Sequence, residues 1–159
     1  MTETVDIGHP APDFELPSDQ GATYRLSDLR GRWVVLFFYP KAMTPGCTTE
    51  ACGFRDAYGE LKELGAEVLG ISHDSVERLV RFRDKHGLTF PLLSDPEHRV
   101  TEAYGVYALK KMAGREYMGI VRSTFLIDPE GTIAAVWRKV RVKGHVDQVV
   151  ARLKELSAA

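Results

Sequence analysis

Trp33-Val34-Val35-Leu36-Phe37-Phe38-Tyr39, running straight into Pro40-Lys41-Ala42-Met43-Thr44-Pro45-Gly46-Cys47, is the stretch that decides the fold. The first part is an unbroken run of apolar, β-branched and aromatic residues, and it reads as a buried strand. The second part carries the start signals of a helix. Thr44 suits the N-cap position, where its side-chain oxygen can accept a backbone N–H from the first turn. Pro45 then takes the first helical position, where a missing N–H costs nothing. Cys47 falls at the third, which in a capping box holds a Glu or Gln reaching back to the cap. A thiolate there meets unsatisfied N–H groups and the positive end of the helix dipole. Cysteines at helix N-termini commonly ionise more easily than free thiols. The plainer alternative is a small buried hydrophobe, but the cap chemistry ahead of Cys47 favours the reactive reading.

The helix that follows has one apolar stripe. Cys47, Ala51, Phe54, Tyr58 and Leu61 are spaced four and three residues apart. Cys47 therefore starts the core-facing side. The only other cysteine, Cys52, lies about 140° around the helix from it, among Arg55, Asp56 and Gly59, and is expected to be less buried. An intact helix holds the two Cα atoms roughly 8–9 Å apart, and a disulfide needs less than about 7 Å. If the two cysteines bond, the first turns have to unwind. Gly46 and Gly53 weaken the helix in that stretch.

Outward from this region the chain alternates strands and helices. Pro10 to Leu16 and Thr23 to Leu26 predict a short hairpin around Ser18-Asp19-Gln20-Gly21, and Ser27 to Gly31 a turn. The Cys47 helix is expected to end near Gly65. Glu67 to Ile71 reads as the next buried strand, Ser75 to His86 as a helix stopped by Gly87, and Phe90 to Leu93 as a short extended piece. Pro96 to Tyr104 reads as a short helix capped by Asp95, and Tyr107 to Tyr117 as a loop rich in Lys and Gly. Ser123 to Ile127 and Ile133 to Trp137 flank the turn Asp128-Pro129-Glu130-Gly131, a hairpin signal. Gly144-His145 opens a last helix with Val146, Val149, Val150, Leu153 and Leu156 on its apolar face. The order implies an α/β sheet covered on both faces, with no linker, repeat or low-complexity segment.

Bulk properties exclude several classes of function. The chain has 159 residues, which suits one domain with a sizeable core. Its formal net charge of −1 gives no reason to expect nucleic acid or acidic lipid as partner. No apolar run approaches the ~20 residues of a membrane span. Met1 to Asp6 lacks the basic and apolar regions of a signal peptide, so a cytoplasmic location is expected. The 2 cysteines are too few for a secreted disulfide scaffold and point to catalysis or metal binding. No histidine accompanies them at metal-ligand spacing, which argues against a metal site. The expectation is an enzyme with no cofactor.

The run Pro-x-x-x-Thr-x-x-Cys, here Pro40, Thr44 and Cys47, resembles the active-site signature of peroxiredoxins. The longer string Phe38 to Thr48 together with Cys52 is similar to the bacterioferritin comigratory protein, or Q-type, branch. The likeness extends over nearly the whole chain, from Pro10-Ala11-Pro12-Asp13-Phe14 through Val68 to Ser72 and Leu92 to Asp95, as far as Arg122 to Asp128. It implies a thioredoxin-like fold with an N-terminal hairpin and an activity that reduces hydrogen peroxide and organic hydroperoxides. It implies that Cys47 is the peroxidatic cysteine, that Thr44 and the N–H groups of Gly46 and Cys47 contact the peroxide, and that Pro40 shields the pocket. By the same resemblance Arg122 is the site cation, Glu50 orients it, and Cys52 resolves the oxidised Cys47 into a disulfide that thioredoxin or a similar dithiol protein reduces. The branch is mostly monomeric.

Each residue also has a plainer reading. Arg122 could be a strand-edge surface charge, Glu50 a carboxylate favoured by the helix dipole, and Cys52 a spare thiol. Lys41 reads as a solvated loop residue, His73 as a surface or capping group near a strand end, and Trp33 and Trp137 as packing residues. Two rival functions use the same fold. A thiol–disulfide oxidoreductase would show C-x-x-C at the helix start, yet Thr44 stands three residues before Cys47. A redox sensor or holdase would use Cys47 as a switch without turnover.

Overall fold

The computed structural model describes residues 5–158. Of the N-terminal stretch read above for a leader, residues 1–4 lie outside the described part, as does residue 159. The expected N-terminal hairpin consists of β1 (Glu15–Pro17) and β2 (Thr23–Arg25), paired antiparallel. A 3-10 turn, Leu26–Leu29, leads to β3 (Trp33–Phe38). The chain continues through α1 (Pro45–Glu63), β4 (Ala66–Ser72), α2 (Val76–His86), β5 (Leu92–Ser94) and α3 (Arg99–Ala103). It ends with β6 (Tyr107–Met112), β7 (Arg115–Ile120), β8 (Ser123–Ile127), β9 (Ile133–Arg138) and α4 (His145–Ser157).

The main sheet has the order β5-β4-β3-β8-β9. β3 runs parallel to β4 and antiparallel to β8, so the sheet is mixed. Alternate residues of β3 serve two cores, as the pleat requires. Val35 and Phe37, with Tyr39 just beyond, pack under Phe54 and Leu61 of α1, Leu79 and Phe82 of α2, and Val149 and Leu153 of α4. Val34, Leu36 and Phe38 face the opposite side, toward Leu26, Val100, Tyr104 and Phe125. This two-sided burial is why the strand reads as a continuous apolar run. Trp33 and Trp137 are half-buried against the first core, in line with the packing reading.

Caps and turns set the ends of α2 and the start of α3. Ser75 Oγ accepts the Arg78 N–H at 3.2 Å and starts α2, while Gly87 (φ 60°) ends it. The short helix α3 begins later than expected. Asp95 does cap it, but by accepting the N–H groups of Val100 and Thr101, both at 3.0 Å, across a turn that holds His98 at φ 63°. The extended piece near Phe90 becomes β5 at Leu92–Ser94.

The largest departure is the stretch Tyr107 to Tyr117, which is a β-hairpin and not a loop. β6 and β7 pair from Tyr107 opposite Ile120 to Met112 opposite Arg115. The turn residues Ala113 and Gly114 have φ 52° and 78°, the positive values of a two-residue hairpin turn. Leu109 and Met118 are exposed on one face and Met112 and Tyr117 on the other, so burial imposed no alternating apolar pattern on the sequence.

Candidate active site

The pairing of β3 with β8 builds the site. Phe38 lies opposite Ser123, so the residue before β8, Arg122, arrives beside the loop that leaves β3. That loop, residues 40–44, delivers α1 with Pro45 at its first position. Thr44 has the extended backbone of an N-cap (φ −90°, ψ 154°), yet its side chain accepts no N–H of the first turn. Its hydroxyl instead donates to the Lys41 carbonyl at 2.8 Å, which corrects the capping role expected of it. The N–H groups of Gly46 and Cys47 sit in the first turn, where no earlier helical carbonyl is available to them.

Cys47 is 1% exposed at the head of the apolar stripe, followed by buried Ala51, Phe54 and Leu61 and half-buried Tyr58. Arg122 Nη2 donates to its sulfur at 3.3 Å. Nη1 of the same guanidinium donates to Glu50 Oε1 at 2.7 Å, and the Glu50 side chain is wholly buried. One planar group thus bridges a thiol and a carboxylate one helical turn apart. Gly46 permits this: a Cβ there would stand 3.2 Å from Arg122 Nη2. Arg122 is thus turned inward onto Cys47 and Glu50, its side chain 16% exposed, and is not a strand-edge surface charge. Burial disfavours its cation, but Glu50 and the Cys47 sulfur outweigh that and hold its pKa above the usual value. Burial pushes the Glu50 carboxyl up to about 7, against the pull of Arg122, and its Oε2 has no hydrogen-bond partner among the described residues.

Pro40 is half-buried at the end of the strand, and Lys41 is exposed, as expected of a solvated loop residue. Cys52 is half-buried on another side of α1, and both cysteines are free thiols. His73 does not touch Cys47 or Arg122; its Nε2 pairs with Thr101 Oγ1 at 2.9 Å and its ring lies 3.9 Å from that of His98, tilted by 34°. Among the described residues no cluster of three metal-ligating side chains forms, and no helix is long and apolar enough to cross a membrane. A cavity of about 1020 Å³ lined by His9, Pro12, Glu102, Tyr104 and Arg138 shares no residue with the cysteine site.

Two contributions escaped the sequence reading. Asp74 and Arg78 reach from the start of α2 to the Ala42 peptide groups. Their spacing of four residues marks a helix-surface pair, but nothing in it names a loop more than thirty residues away as the partner. His145 is buried at the start of α4, where Nε2 pairs with Thr124 Oγ1 at 2.7 Å and the ring meets Phe54 edge-on at 6.3 Å. Burial, with the Arg122 cation adding to it, pushes this imidazole down to about 4. Opening a helix at Gly144-His145 was legible, but the inward turn of His145 had no sequence signal.

Comparison with known proteins gives a consistent family. The AhpC/TSA family profile matches residues 7–136. Peroxiredoxin Bcp of Bacillus subtilis is 54% identical over 154 residues, covering 97% of this chain and 98% of the relative. Peroxiredoxin Bcp of Escherichia coli is 49% identical over 151 residues, covering 95% and 97%. Among solved structures, the bacterioferritin comigratory protein of Xanthomonas campestris, studied for its alkyl peroxide reduction activity, superposes with a TM-score of 0.90 at 41% identity, covering 96% and 99%. PrxQ of Xylella fastidiosa gives 0.92 at 37% identity, covering 98% and 99%.

Proposed function

The chain belongs to the AhpC/TSA family and is a peroxiredoxin, a thiol peroxidase on a thioredoxin-like fold; from that premise we propose how its own residues divide the reaction. Cys47, as thiolate, attacks one oxygen of a hydroperoxide. The S–O bond forms as the O–O bond breaks, the departing oxygen takes a proton and leaves as water or alcohol, and Cys47 is left as a sulfenic acid. The observation that carries this assignment is the Arg122 guanidinium, 3.3 Å from the Cys47 sulfur and fixed from behind by Glu50. A fixed cation there favours the thiolate and the negative charge growing on the leaving oxygen. Thr44 turns its hydroxyl from Lys41 to the peroxide, the N–H groups of Gly46 and Cys47 hold the second oxygen, and Pro40 screens the pocket from water.

Cys52 then attacks the sulfenic sulfur. The S–S bond forms, water leaves, and the first turns of α1 unwind to allow it, because an intact helix keeps the two residues beyond disulfide reach. Thioredoxin or a similar dithiol protein reduces the bond to two thiols and is itself oxidised. Hydrogen peroxide and organic hydroperoxides are the substrates, and similarity to the Xanthomonas protein supports the alkyl class. The protein acts as a single-domain monomer in the cytoplasm.

Peroxide consumption with a dithiol protein supplied tests the reading. Many turnovers are expected, abolished by Cys47→Ser and strongly slowed by Cys52→Ser. Consumption that stops near one equivalent in the wild type would instead indicate a redox sensor.

A further inference from the structure

The segment that opens for Cys47 and Cys52 to meet is tied down at a second place, across β3 from Arg122. β4 and β8 flank β3 on opposite sides. Arg122 approaches from the β8 side; Asp74 and Arg78 approach from the end of β4 and the first turn of α2. Asp74 Oδ2 accepts the Ala42 N–H at 2.7 Å, and Arg78 Nη2 donates to the Ala42 carbonyl at 2.9 Å. Both polar groups of Ala42, itself fully buried, are thus held by one pair of side chains. The pair is braced in turn. Arg78 Nε lies 3.0 Å from Asp74 Oδ1, Ser72 Oγ donates to Asp74 Oδ2 at 2.7 Å, and Ser94 Oγ donates to the Asp74 carbonyl at 2.6 Å. Among the described residues, these two bonds to Ala42 are the only hydrogen bonds that residues 40–46 make outside their own loop and α1.

The clamp holds a conformation that the chain would not choose. Met43, next to Ala42, sits at φ 65°, a left-handed geometry unfavourable for a side chain of that size. Such backbone persists only where its surroundings over-determine it. Here Ala42 is fixed on one side and the first turn of α1 on the other. Loosening the clamp frees Met43 to relax, and the loop with it.

We propose that Asp74 and Arg78 are positioning residues that set how fast the start of α1 opens once Cys47 is oxidised. They hold the loop in its peroxide-reactive shape and delay disulfide formation, which lengthens the life of the sulfenic acid and its exposure to a second peroxide. The inference rests on the reading in which peroxide oxidises Cys47 and Cys52 resolves it.

Rapid-quench mass analysis after a peroxide pulse separates sulfenic acid formation from disulfide formation. Asp74→Asn keeps the size of the side chain and removes the charge from its bond to Ala42. A charge-assisted bond of this kind predicts disulfide formation faster by about tenfold, slower attack on peroxide, and a higher peroxide concentration needed to over-oxidise Cys47. Arg78→Gln removes the other bond and moves all three in the same direction; it carries the test alone if Asp74→Asn does not fold. A role confined to overall stability would lower the urea midpoint and leave the ratio of disulfide formation to peroxide attack unchanged. Unchanged or slower disulfide formation in the folded variants, with the wild type cycling normally, overturns the proposal. A wild type that forms neither sulfenic acid nor disulfide overturns the underlying reading instead.

Discussion

At the start of α1, Ala42, Cys47 and Glu50 are held by polar ties from Asp74, Arg78 and Arg122. In the body of the same helix, Phe54 and Leu61 are held by packing, with Phe54 stacked on Phe37 at 4.7 Å. The contrast is physical. Apolar burial is spread over many contacts and resists local opening, whereas a few directional bonds can be broken and remade one at a time. A helix anchored by its body and latched at its start can lose its first turns and keep the rest. That division is what a cysteine pair on one helix requires if it is to react in one conformation and bond in another.

The comparison can be broken most severely through the body. Phe54→Ala should destabilise the protein by about 3–5 kcal/mol, measured by urea unfolding; a loss below about 1 kcal/mol would mean that α1 is not anchored there. At the start of the helix the expected effect is on rate. Arg122→Gln should lower the rate constant of peroxide with Cys47 by roughly 10²–10³, read by stopped-flow fluorescence or competition. An unchanged rate would remove Arg122 from the reaction.

Titration separates the two regions further. His145, on the packing side, has its pKa lowered from 6.5 to about 4. The unfolded chain therefore binds more protons there, and His145 contributes stability that is present above pH 6.5 and lost as pH falls toward 4, up to about 3 kcal/mol. Glu50, at the latch, is raised from 4.5 to about 7, so its contribution has the opposite slope and declines as pH rises through that window. His145→Asn should flatten the acid loss in urea midpoints between pH 6.5 and 4, and Glu50→Gln should steepen the rise of stability with pH. Identical profiles for wild type and both variants would contradict the two environments.

The smallest effect concerns Gly53, between the two regions. A Cβ there would come within 2.9 Å of Val146 Cγ2 on α4. Gly53→Ala gains about 1 kcal/mol of helix propensity and loses about 1–3 kcal/mol to overpacking. A net loss near 1 kcal/mol is expected in urea unfolding, and a net gain would show that α4 yields there. Gly53 is thus a packing residue as well as the weak point the sequence suggested.

What could be read beforehand follows the same line. β3, α1 and α2 were legible because burial and caps leave periodic or punctuated signals: the run Trp33 to Tyr39, Pro45 at the first helical position, Ser75 and Gly87 at the two ends of α2. Cys47 was legible for the same reason. Arg122 and Glu50 came from the family resemblance, since a contact across 75 positions has no local signal. The β6–β7 hairpin was missed because its exposed apolar residues lie on no consistent face and its turn, Ala113-Gly114, lacks the usual Asn or Asp. The clamp on Ala42 was missed because side-chain to backbone bonds between distant segments depend on the finished fold.

Intact-mass analysis of the reduced protein after one equivalent of hydrogen peroxide, beside a Cys52→Ser variant, tests the account most directly. The wild type should lose about 2 mass units as the Cys47–Cys52 disulfide forms, and the variant should gain about 16 as Cys47 keeps its oxygen. No rapid change in either protein would contradict the claim that Cys47 is the peroxide-reactive thiol and Cys52 its resolver.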